Sequence, residues 1–298
     1  MRGSKFLTFM ADHNLKHGVP PLHEVEKLRK EFRNLLKSDV VATIERMRDS
    51  AGKIILNSDD LFKVLPRYAN NPEERITLGP LLYPVAREFT DKIFQHLLAR
   101  KFSSDDTVIF TAGGSATGKS TILRSAGQQP GADFVVDTTL SDTTRAVNQI
   151  EATLASGRKV EIYYVFRDFK QSVYGMVRRA LDRQSGRIVP IDDMARTHFG
   201  SQRTLLALME KYQDNRKVAI RLRLNDGQGK LRSMTEREFV DRLHGSIDIL
   251  RKKGQSILNG LLEIPDFKER HVQGHHLRRS DLRISQTFYE AARSQAQG

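Results

Sequence analysis

An eight-residue run near the centre of the chain has the residue types of a phosphate-binding loop. Residues 113–120 read Gly-Gly-Ser-Ala-Thr-Gly-Lys-Ser, a full match to the pattern G-x-x-x-x-G-K-[ST]. Glycine lets a backbone approach an anion closely and adopt positive φ, and the N–H groups at a helix N-terminus bind phosphate. The pattern predicts a bound nucleotide, ATP or GTP, with Lys119 on its β- and γ-phosphates and the Ser120 hydroxyl on Mg²⁺.

The elements predicted on either side of the run support this interpretation. A β-branched strand is predicted at 107–111, directly before the run, and a helix is predicted to begin near Lys119. A glycine-rich turn that carries Lys-Ser by chance is the alternative, and it leaves the coincidence of Gly113, Gly118 and Lys119 unexplained. The residues expected to surround the nucleotide phosphates are Gly113, Gly114, Ser115, Ala116, Thr117, Gly118, Lys119, Ser120 and Thr121.

Carboxylates at two predicted strand ends are candidates for proton transfer and substrate binding. Phosphoryl transfer needs positioned charges, a metal ion and a group that accepts the proton of the attacking hydroxyl. Asp59 and Asp60 follow a predicted strand at 53–57, and Asp137 follows one at 134–136. Ligands of open α/β sheets bind beyond the carboxyl ends of the strands, so these acids are expected beside the loop. The alternative for each is a helix N-cap.

Arginines cluster in the middle third of the chain. Residues 139–230 hold 17 basic and 10 acidic residues, and Arg179, Arg183 and Arg187 flank a Gln-Ser-Gly break at 184–186. A planar guanidinium bridges phosphate oxygens and stabilises transition-state charge, so the cluster predicts a short lid over the triphosphate. A solvated helix face is the alternative, as it is for most runs of charge.

The composition of the 298 residues excludes several classes of protein. Cysteine is absent, which excludes disulfides, thiolate zinc sites, iron–sulfur clusters and a cysteine nucleophile. No apolar run approaches the length of a membrane span and no signal-peptide pattern opens the chain, so the prediction is a soluble, cytoplasmic protein. The net charge of +13 favours polyanionic partners, which include nucleotides, phosphosugars, nucleic acid and acidic proteins.

Apolar strands alternate with amphipathic helices through the middle of the chain. This pattern is typical of an α/β fold, and it predicts a P-loop NTPase-type parallel sheet sandwiched by helices, with helical N- and C-terminal extensions. The expected division is a helical N-terminal extension (1–49), a P-loop kinase core (50–230) and a helical, basic C-terminal extension (231–298). Further strands are predicted at 160–166 and 218–222.

Helices are predicted from the hydrophobic spacing between these strands. One or two open the chain between Pro21 and about Ser50, and others are expected at 81–101, 142–156, 169–184 and 192–213. Pro66, Pro72 and Pro80 are expected to confine the stretch before residue 81 to turns and short helices.

Four stretches resemble the zeta-toxin family of P-loop kinases, whose best-known members phosphorylate UDP-N-acetylglucosamine and thereby block bacterial cell-wall synthesis. They are the glycine loop with the helix after it (113–126), the strand-end segment 57–68, the acid-x-Thr strand end at 136–139, and the arginine segment 179–190. The resemblance covers about residues 50–225. It implies a kinase that uses ATP or GTP together with Mg²⁺.

The resemblance also implies roles for individual residues. The catalytic base would be Asp59. The charges that stabilise transfer would come from Lys119, Arg179, Arg183 and Arg187, and the substrate contacts from Asp60, Asp137 and Thr139. The substrate implied is a UDP-activated amino sugar such as UDP-N-acetylglucosamine, and the partners implied are an antitoxin or internal inhibitory helices. Because the substrate-side segments diverge from the family, the acceptor stays open.

The order of these stretches departs from the family. There, the segment with the catalytic aspartate follows the helix after the glycine loop, whereas in this chain its strand and helix come before the strand that leads into the loop. The order indicates a circular permutation of the same core, which packing tolerates if the displaced strand keeps its place in the sheet.

Two other functions remain open from the sequence. The net charge of +13 suits a kinase that acts on hydroxyls of RNA or DNA, although the aromatic-basic interleaving of a stacking platform is not evident. The other is a non-catalytic, nucleotide-gated binding protein with the terminal helices as its partner surface, and residues 1–49 are a candidate internal inhibitor. His271, His275 and His276 are expected to be plain surface rather than a metal site.

Overall fold

A computed structural model describes residues 22–38, 40–50, 52–70, 72–103, 105–126, 131–181, 189–227, 231–243 and 245–263. Arg183, Arg187 and the histidines at 271, 275 and 276 lie outside the described residues, as do residues 1–21 and 264–298 of the two predicted extensions. What the sequence indicates for them therefore stays a prediction.

Within the described residues, six strands form one sheet. They are β1 (Ile54–Asn57), β2 (Thr107–Ala112), β3 (Ala132–Asp137), β4 (Lys159–Phe166), β5 (Val218–Asn225) and β6 (Leu231–Ser233). Their order across the sheet is β1-β3-β2-β4-β5-β6. Every pair is parallel except β5 with β6. Since β2 lies between β3 and β4, the carboxyl ends of these strands meet at one edge, where the glycine loop begins.

Helices connect the strands and cover them. They are α1 (Leu22–Ser38), α2 (Val40–Arg46), α3 (Ser58–Leu61), α4 (Pro66–Asn70), α5 (Pro72–Leu98), α6 (Lys119–Ala126), α7 (Thr143–Ala155), α8 (Phe169–Leu181), α9 (Ile191–Tyr212), α10 (Glu236–Val240) and α11 (Ile247–Glu263). A 3₁₀ helix, Phe62–Val64, lies between α3 and α4. None of the helices in the described ranges combines the length and the apolarity that crossing a bilayer requires.

The sheet is covered on both faces because its central strands are apolar on both. On one face, Phe110 and Phe134 are fully buried in a cluster that also contains residues of α1, α5, α7 and α9. On the other face, Val135 packs in a smaller cluster with Ile122 of α6. The predicted α/β fold, a sheet sandwiched by helices, is confirmed, and the antiparallel β6 makes the sheet mixed.

Helices α8, α9 and α11 share an apolar cluster of their own. Phe169 and Met176 of α8 pack with Met194 of α9 and Leu250 of α11, and all four are almost fully buried. This packing holds α8, which carries Arg179, against α9.

The start of α5 differs from its prediction. The sequence predicts turns and short helices before residue 81, but α5 begins at Pro72 and continues through Pro80. Proline is well tolerated in the first turn of a helix, which explains Pro72. Burial of Leu81 and Val85 in the main core accounts for the continuation, because the packing of an apolar helix face outweighs the break expected at Pro80.

The strand β6 is a second difference. Residues 231–298 are predicted to be helical, but Leu231–Ser233 pairs antiparallel with Arg223, Leu224 and Asn225 of β5. A strand of three residues is too short to show an alternating pattern in the sequence. The next described elements, α10 and α11, are helical as predicted.

Candidate phosphate-binding site

The segment 113–120, called the phosphate loop from here on, connects the buried strand β2 to α6 as predicted. Three of its residues have positive φ, namely Gly113 at 127°, Ala116 at 59° and Gly118 at 98°. The Thr117 hydroxyl donates to the Gly114 carbonyl oxygen at 3.0 Å and closes the turn. Turns of this kind point successive backbone N–H groups into a concavity that holds an anion.

Close approach of other residues requires glycine at both ends of the phosphate loop. A Cβ at Gly113 would lie 2.4 Å from the Val165 carbonyl oxygen, and a Cβ at Gly118 would lie 2.3 Å from Nδ2 of Asn225. The Asn225 side chain also donates to the Thr117 carbonyl oxygen at 2.8 Å. The last residue of β5 therefore holds the loop in place.

Helix α9 lies directly against the second glycine of the loop. The Thr197 hydroxyl accepts from the Ser115 backbone N–H at 3.2 Å, and Nε2 of His198 lies 2.9 Å from the Ser115 carbonyl oxygen. A Cβ at Gly114 would be 2.2 Å from the His198 ring. His198 is 2% exposed and meets the Phe169 ring edge-on, so the imidazole has little room to move away.

Replacing Gly114 with alanine is expected to destabilise the protein, because the new methyl group must displace the buried His198 ring. Overpacking of this kind costs about 1–3 kcal/mol of unfolding free energy. In the double variant Gly114→Ala/His198→Ala the clash is absent. The double variant is therefore expected to lose less unfolding free energy than the sum of the losses in the two single variants. Urea unfolding of the wild type and the three variants measures this coupling, and strictly additive losses would contradict the contact.

Lys119, the first residue of α6, folds back over the phosphate loop. Its Nζ donates to the carbonyl oxygens of Gly113 and Gly114, at 3.0 Å each. Burial lowers the pKa of Lys119, the carboxylate of Asp137 opposes this shift, and the guanidinium of Arg179 adds to it. Phosphate oxygens would be stronger partners for this ammonium than neutral carbonyls, which fits the role predicted for it.

Asp137, the last residue of β3, lies in the same concave site. One of its carboxylate oxygens accepts from Oγ1 of Thr111 at 2.8 Å, and the other accepts from Nδ2 of Asn57 at 3.0 Å. Burial raises the pKa of Asp137; Lys119 and the Thr111 hydrogen bond lower it, and the Asp60 carboxylate raises it. The pKa of Asp137 is therefore raised and the pKa of Lys119 is lowered for the same reason, because burial disfavours the charged form of each group.

Helix α3 places Asp59 and Asp60 just beyond the end of β1. Asn57 caps this helix, because its Oδ1 accepts from the Asp59 N–H at 2.8 Å while its Nδ2 binds Asp137. Asp60 pairs with Lys63 at 2.5 Å and lies close enough to Asp137 to raise its pKa. The N-cap alternative for Asp59 and Asp60 is wrong, since Asn57 occupies that position. The strand ends of β1 and β3 meet beside the phosphate loop, as predicted.

Thr139 lies at the same strand end as Asp137. Its carbonyl oxygen accepts the Gly113 N–H at 3.2 Å, and its hydroxyl is 2.9 Å from the hydroxyl of Ser141. Thr139 is therefore joined directly to the first glycine of the phosphate loop. Ser120, the residue predicted to bind the metal, is the second residue of α6 and has an exposed side chain.

Of the three arginines in the predicted lid, the structure describes Arg179. This residue of α8 is half-buried and lies close enough to Lys119 and Asp137 to shift the pKa of each. Arg183 and Arg187 lie outside the described residues. The structure thus brings one arginine of the predicted three to the phosphate loop.

A second polar cluster lies between α5, α7 and α9. Its central residue, Tyr83, keeps 43% of its surface exposed. Its phenol lies close to the Asp193 carboxylate and to arginines 145, 87 and 196. Since α7 follows the carboxyl end of β3 and α9 runs toward the amino end of β5, both helices begin at the sheet edge that carries the phosphate loop.

Asp142 fixes the N-terminus of α7 beside this cluster. Its carboxylate accepts from the Arg145 N–H at 3.0 Å and pairs with Arg87 at 3.1 Å. The backbone hydrogen bond and the Arg87 contact both lower the pKa of Asp142. This acid is therefore an N-cap, and it also ties α7 to α5.

Replacing Asp142 with alanine is expected to cost about 1 kcal/mol of unfolding free energy at neutral pH, because α7 loses its cap. Asp142→Asn should cost less, since it keeps the cap and loses only a partly exposed ion pair. The lowered pKa means that the carboxylate stabilises the fold above the ordinary aspartate pKa of about 3.9, and that this contribution is lost as the pH falls through the folded-state pKa. Urea unfolding of wild type and Asp142→Ala between pH 7 and about pH 2 measures this, and a difference that does not shrink in acid would contradict it.

Residues 126–237 match the family model described as zeta toxin. The resemblance to the zeta-toxin family is confirmed. The zeta-toxin-like segment contains Asp137, Thr139 and Arg179, but it begins at the last residue of α6. The phosphate loop and Asp59 lie before the matched residues, so their assignment rests on their own pattern and geometry.

Solved structures give weaker likenesses. A chain from the PezAT chromosomal toxin–antitoxin system of Streptococcus pneumoniae is 10% identical over 78% of this chain and 96% of that one, with a TM-score of 0.39. Two structures of the AvrRxo1-ORF1:AvrRxo1-ORF2 complex are each 14% identical, with a TM-score of 0.41. The match to the structure with sulphate ions covers 94% of this chain and 91% of that one. The match to the structure with ATP covers 90% of this chain and 88% of that one. The comparison with curated proteins gave no match. Likenesses this low assign no function.

The zeta-toxin-like segment also supplies loop contacts that the sequence analysis missed. Arg167 follows the predicted strand 160–166 and was detectable by the strand-end rule that identified Asp137. Asn225 lies beyond the predicted end of its strand. Thr197 and His198 sit inside a long helix, where nothing in their spacing marks them as neighbours of a loop about eighty residues earlier.

Proposed function

We propose that this protein is a kinase that transfers the γ-phosphate of ATP or GTP to a hydroxyl group of a small molecule. The observation that carries the proposal is the convergence of Lys119, Arg179 and Asp137 beside a loop with the backbone turns of an anion site. Phosphoryl transfer requires mainly positioning and neutralisation of charge, which such a group of residues supplies. The zeta-toxin match over 126–237 supports the same reaction class.

Asp59 is the proposed base. It lies half-buried in the first turn of α3, and Asn57 ties its backbone to the Asp137 carboxylate. The acceptor hydroxyl gives its proton to Asp59 while its oxygen forms a bond to the γ-phosphorus. The bond from that phosphorus to the bridging oxygen breaks, and the nucleoside diphosphate leaves. Lys119 and Arg179 neutralise the transferring phosphoryl group, and Arg183 and Arg187 are proposed to join them.

The oxygen donors beside the phosphate loop fit Mg²⁺. Ser120 offers an exposed hydroxyl at the start of α6, and Mg²⁺ prefers oxygen ligands and keeps several waters when it binds with a nucleotide. Such a site needs few protein ligands. When bound, the ion would offset negative charge on the β- and γ-phosphate oxygens. Ser120 is the ligand proposed for it.

The proposed acceptor is a UDP-activated amino sugar such as UDP-N-acetylglucosamine, on the ground of the family resemblance. Asp60, Asp137 and Thr139 are the residues proposed to contact it. Tyr83 is exposed and lies close to Asp193 and to arginines 145, 87 and 196, and an aromatic ring among such charges can stack on a base or sugar ring.

An antitoxin is the proposed protein partner, since the matched family is named for its toxins. An internal inhibitory helix is a weaker candidate. Val25, Phe32 and Leu36 of α1 are fully buried in the main core together with strand residues, so α1 contributes to the fold itself.

A circular permutation is proposed for the chain order. Strand β1, which precedes Asp59, is the edge strand of the sheet and pairs in parallel with β3. An edge strand with one neighbour keeps its contacts whether it comes before or after that neighbour in the chain, so the order found here is compatible with an unchanged core.

The proposed reaction is tested by incubating the purified protein with γ-labelled ATP or GTP, Mg²⁺ and separate pools of UDP-sugars, nucleosides, RNA and DNA. Label is expected in the UDP-sugar pool. Label in RNA or DNA would replace the proposal with a polynucleotide kinase. This is the second candidate because residues 139–230 hold 17 basic residues and only 10 acidic ones, and positive charge favours binding to nucleic acid. Nucleotide binding without label in any pool would favour a non-catalytic, nucleotide-gated protein.

A further inference from the structure

Arg167 lies beside the phosphate loop and belongs to none of the four stretches that carry the family resemblance. It directly follows β4, which is the parallel neighbour of β2, and so it emerges at the sheet edge where the loop begins. Its terminal nitrogen Nη1 donates to the carbonyl oxygen of Ala116 at 3.0 Å. Ala116 is the loop residue with a φ of 59°, which few non-glycine residues adopt. The guanidinium therefore holds the carbonyl of the one non-glycine residue in the loop that has positive φ.

The guanidinium of Arg167 has unused hydrogen-bonding capacity. Its Nε is buried and has no hydrogen-bond partner among the described residues. No carboxylate in the described ranges forms an ion pair with it. Arg167 is half-buried, but its Nε is shielded from water, and a shielded donor without a hydrogen bond costs free energy that a bound ligand could recover.

A second cation lies close to Arg167. Burial lowers the pKa of Arg167, and the guanidinium of Arg179 lowers it further. Arg179 also lowers the pKa of Lys119, so three cations lie close together beside the loop. The Asp137 carboxylate acts in the opposite direction and raises the pKa of Lys119. Such repulsion is relieved by a ligand that carries several negative charges.

Helix α8 leaves room for this guanidinium. A Cβ at Gly175 would lie 2.8 Å from Nη1 of Arg167 and 3.7 Å from the Ala116 carbonyl oxygen. A side chain at position 175 would therefore press on the arginine before it reached the loop. Gly175 offers a way to displace Arg167 without changing it.

We propose that Arg167 is a third cation of the phosphate site, which binds an oxygen of the β- or γ-phosphate of the nucleotide while it holds the Ala116 carbonyl. The inference rests on the proposed function, because it requires that the loop bind a nucleotide. It adds a binding residue that lies outside the glycine-loop pattern and outside the four stretches of the family resemblance. Arg167 follows β4, contacts the loop at Ala116 and lies close to Gly175 of α8, so a phosphate bound to it would contact a residue that all three elements position.

Titration of the full-length protein with ATP, ADP and AMP tests the proposal. Arg167→Met is expected to weaken ATP binding roughly 10- to 100-fold, the range for a hydrogen bond between charged groups, and to change AMP binding far less. Arg167→Lys should restore part of the loss, because it keeps the charge without the planar fork. Lys170→Ala is the matched control. Lys170 is an exposed cation three residues after Arg167, in the first turn of α8, and its ammonium lies over the Tyr174 ring.

A second pair of variants separates phosphate binding from loop structure. Gly175→Val is expected to weaken ATP binding in the wild-type background and to have little further effect in Arg167→Met. Unchanged ATP affinity in Arg167→Met would overturn the proposal. Equal losses for ATP and AMP together with a lower melting temperature of the free protein would also overturn it, since they would show a structural role alone. A wild-type protein that binds none of these nucleotides would overturn the proposed function itself.

Discussion

Replacing Lys119 with alanine is expected to reduce phosphoryl transfer by about 10³-fold or more, the scale on which single phosphate-stabilising cations act in this chemistry. The ammonium is held over the loop by the Gly113 and Gly114 carbonyls and is close to Asp137. Its loss removes the charge nearest the predicted β- and γ-phosphates. The free protein should fold normally, because burial already disfavours the charged form of this lysine.

Single-turnover transfer from γ-labelled ATP measures the effect of Lys119→Ala, and far-ultraviolet circular dichroism with thermal unfolding checks the fold. Lys159→Ala is the matched control. Lys159 is an exposed lysine at the amino end of β4, at the edge of the sheet away from the loop, where it pairs with Asp105 at 2.9 Å. Transfer by Lys119→Ala at the rate of Lys159→Ala would contradict the role given to the loop.

Replacing Asp59 with asparagine is expected to lower kcat by about 10²- to 10⁴-fold, the range for loss of a positioned general base. Asparagine keeps the size of the side chain and leaves intact the backbone hydrogen bond from position 59 to the Asn57 cap. Nucleotide affinity should therefore change little. A loss in kcat with unchanged ATP affinity is the signature of a group that acts on the acceptor hydroxyl rather than on the nucleotide.

The neighbouring Asp60 provides the comparison. It pairs with Lys63 and raises the pKa of Asp137, so it lies within electrostatic reach of the site without being the proposed base. Asp60→Asn is expected to change the KM for the acceptor more than kcat. Steady-state kinetics of the two variants distinguish the roles, and a larger fall of kcat in Asp60→Asn than in Asp59→Asn would transfer the base to Asp60.

The parts of the site that follow from local sequence could be predicted. A strand, a glycine loop and a helix form a continuous segment around Gly113 and Lys119, so spacing alone predicts their order and their bounds closely. Asp59 and Asp137 were found because parallel strands end at one edge, and the structure joins those two strand ends through Asn57. The positions of these elements thus follow from general rules for α/β sheets.

The contacts that hold the loop in place could not be predicted in this way. Asn225 binds Thr117 across 108 residues of chain, and His198 meets Ser115 across 83. These pairs arise from how α9 and β5 pack in three dimensions. The hydrophobic spacing that predicts a helix and a strand there does not show which loop those elements contact. The unbroken α5 through Pro80 has a similar origin, because tertiary burial of its apolar face overrides the local preference of proline.

The fate of the γ-phosphate decides whether the protein is a kinase. Wild-type protein, Lys119→Ala and Asp59→Asn are each mixed with γ-labelled ATP, Mg²⁺ and UDP-N-acetylglucosamine, and the labelled products are separated. Label is predicted to move from ATP to the sugar nucleotide with the wild type, in step with ADP formation, and to stay on ATP with both variants. Equal transfer by all three proteins would contradict the assigned site. Label that remains on ATP, or leaves only as inorganic phosphate, with the wild type and every acceptor pool would contradict a kinase.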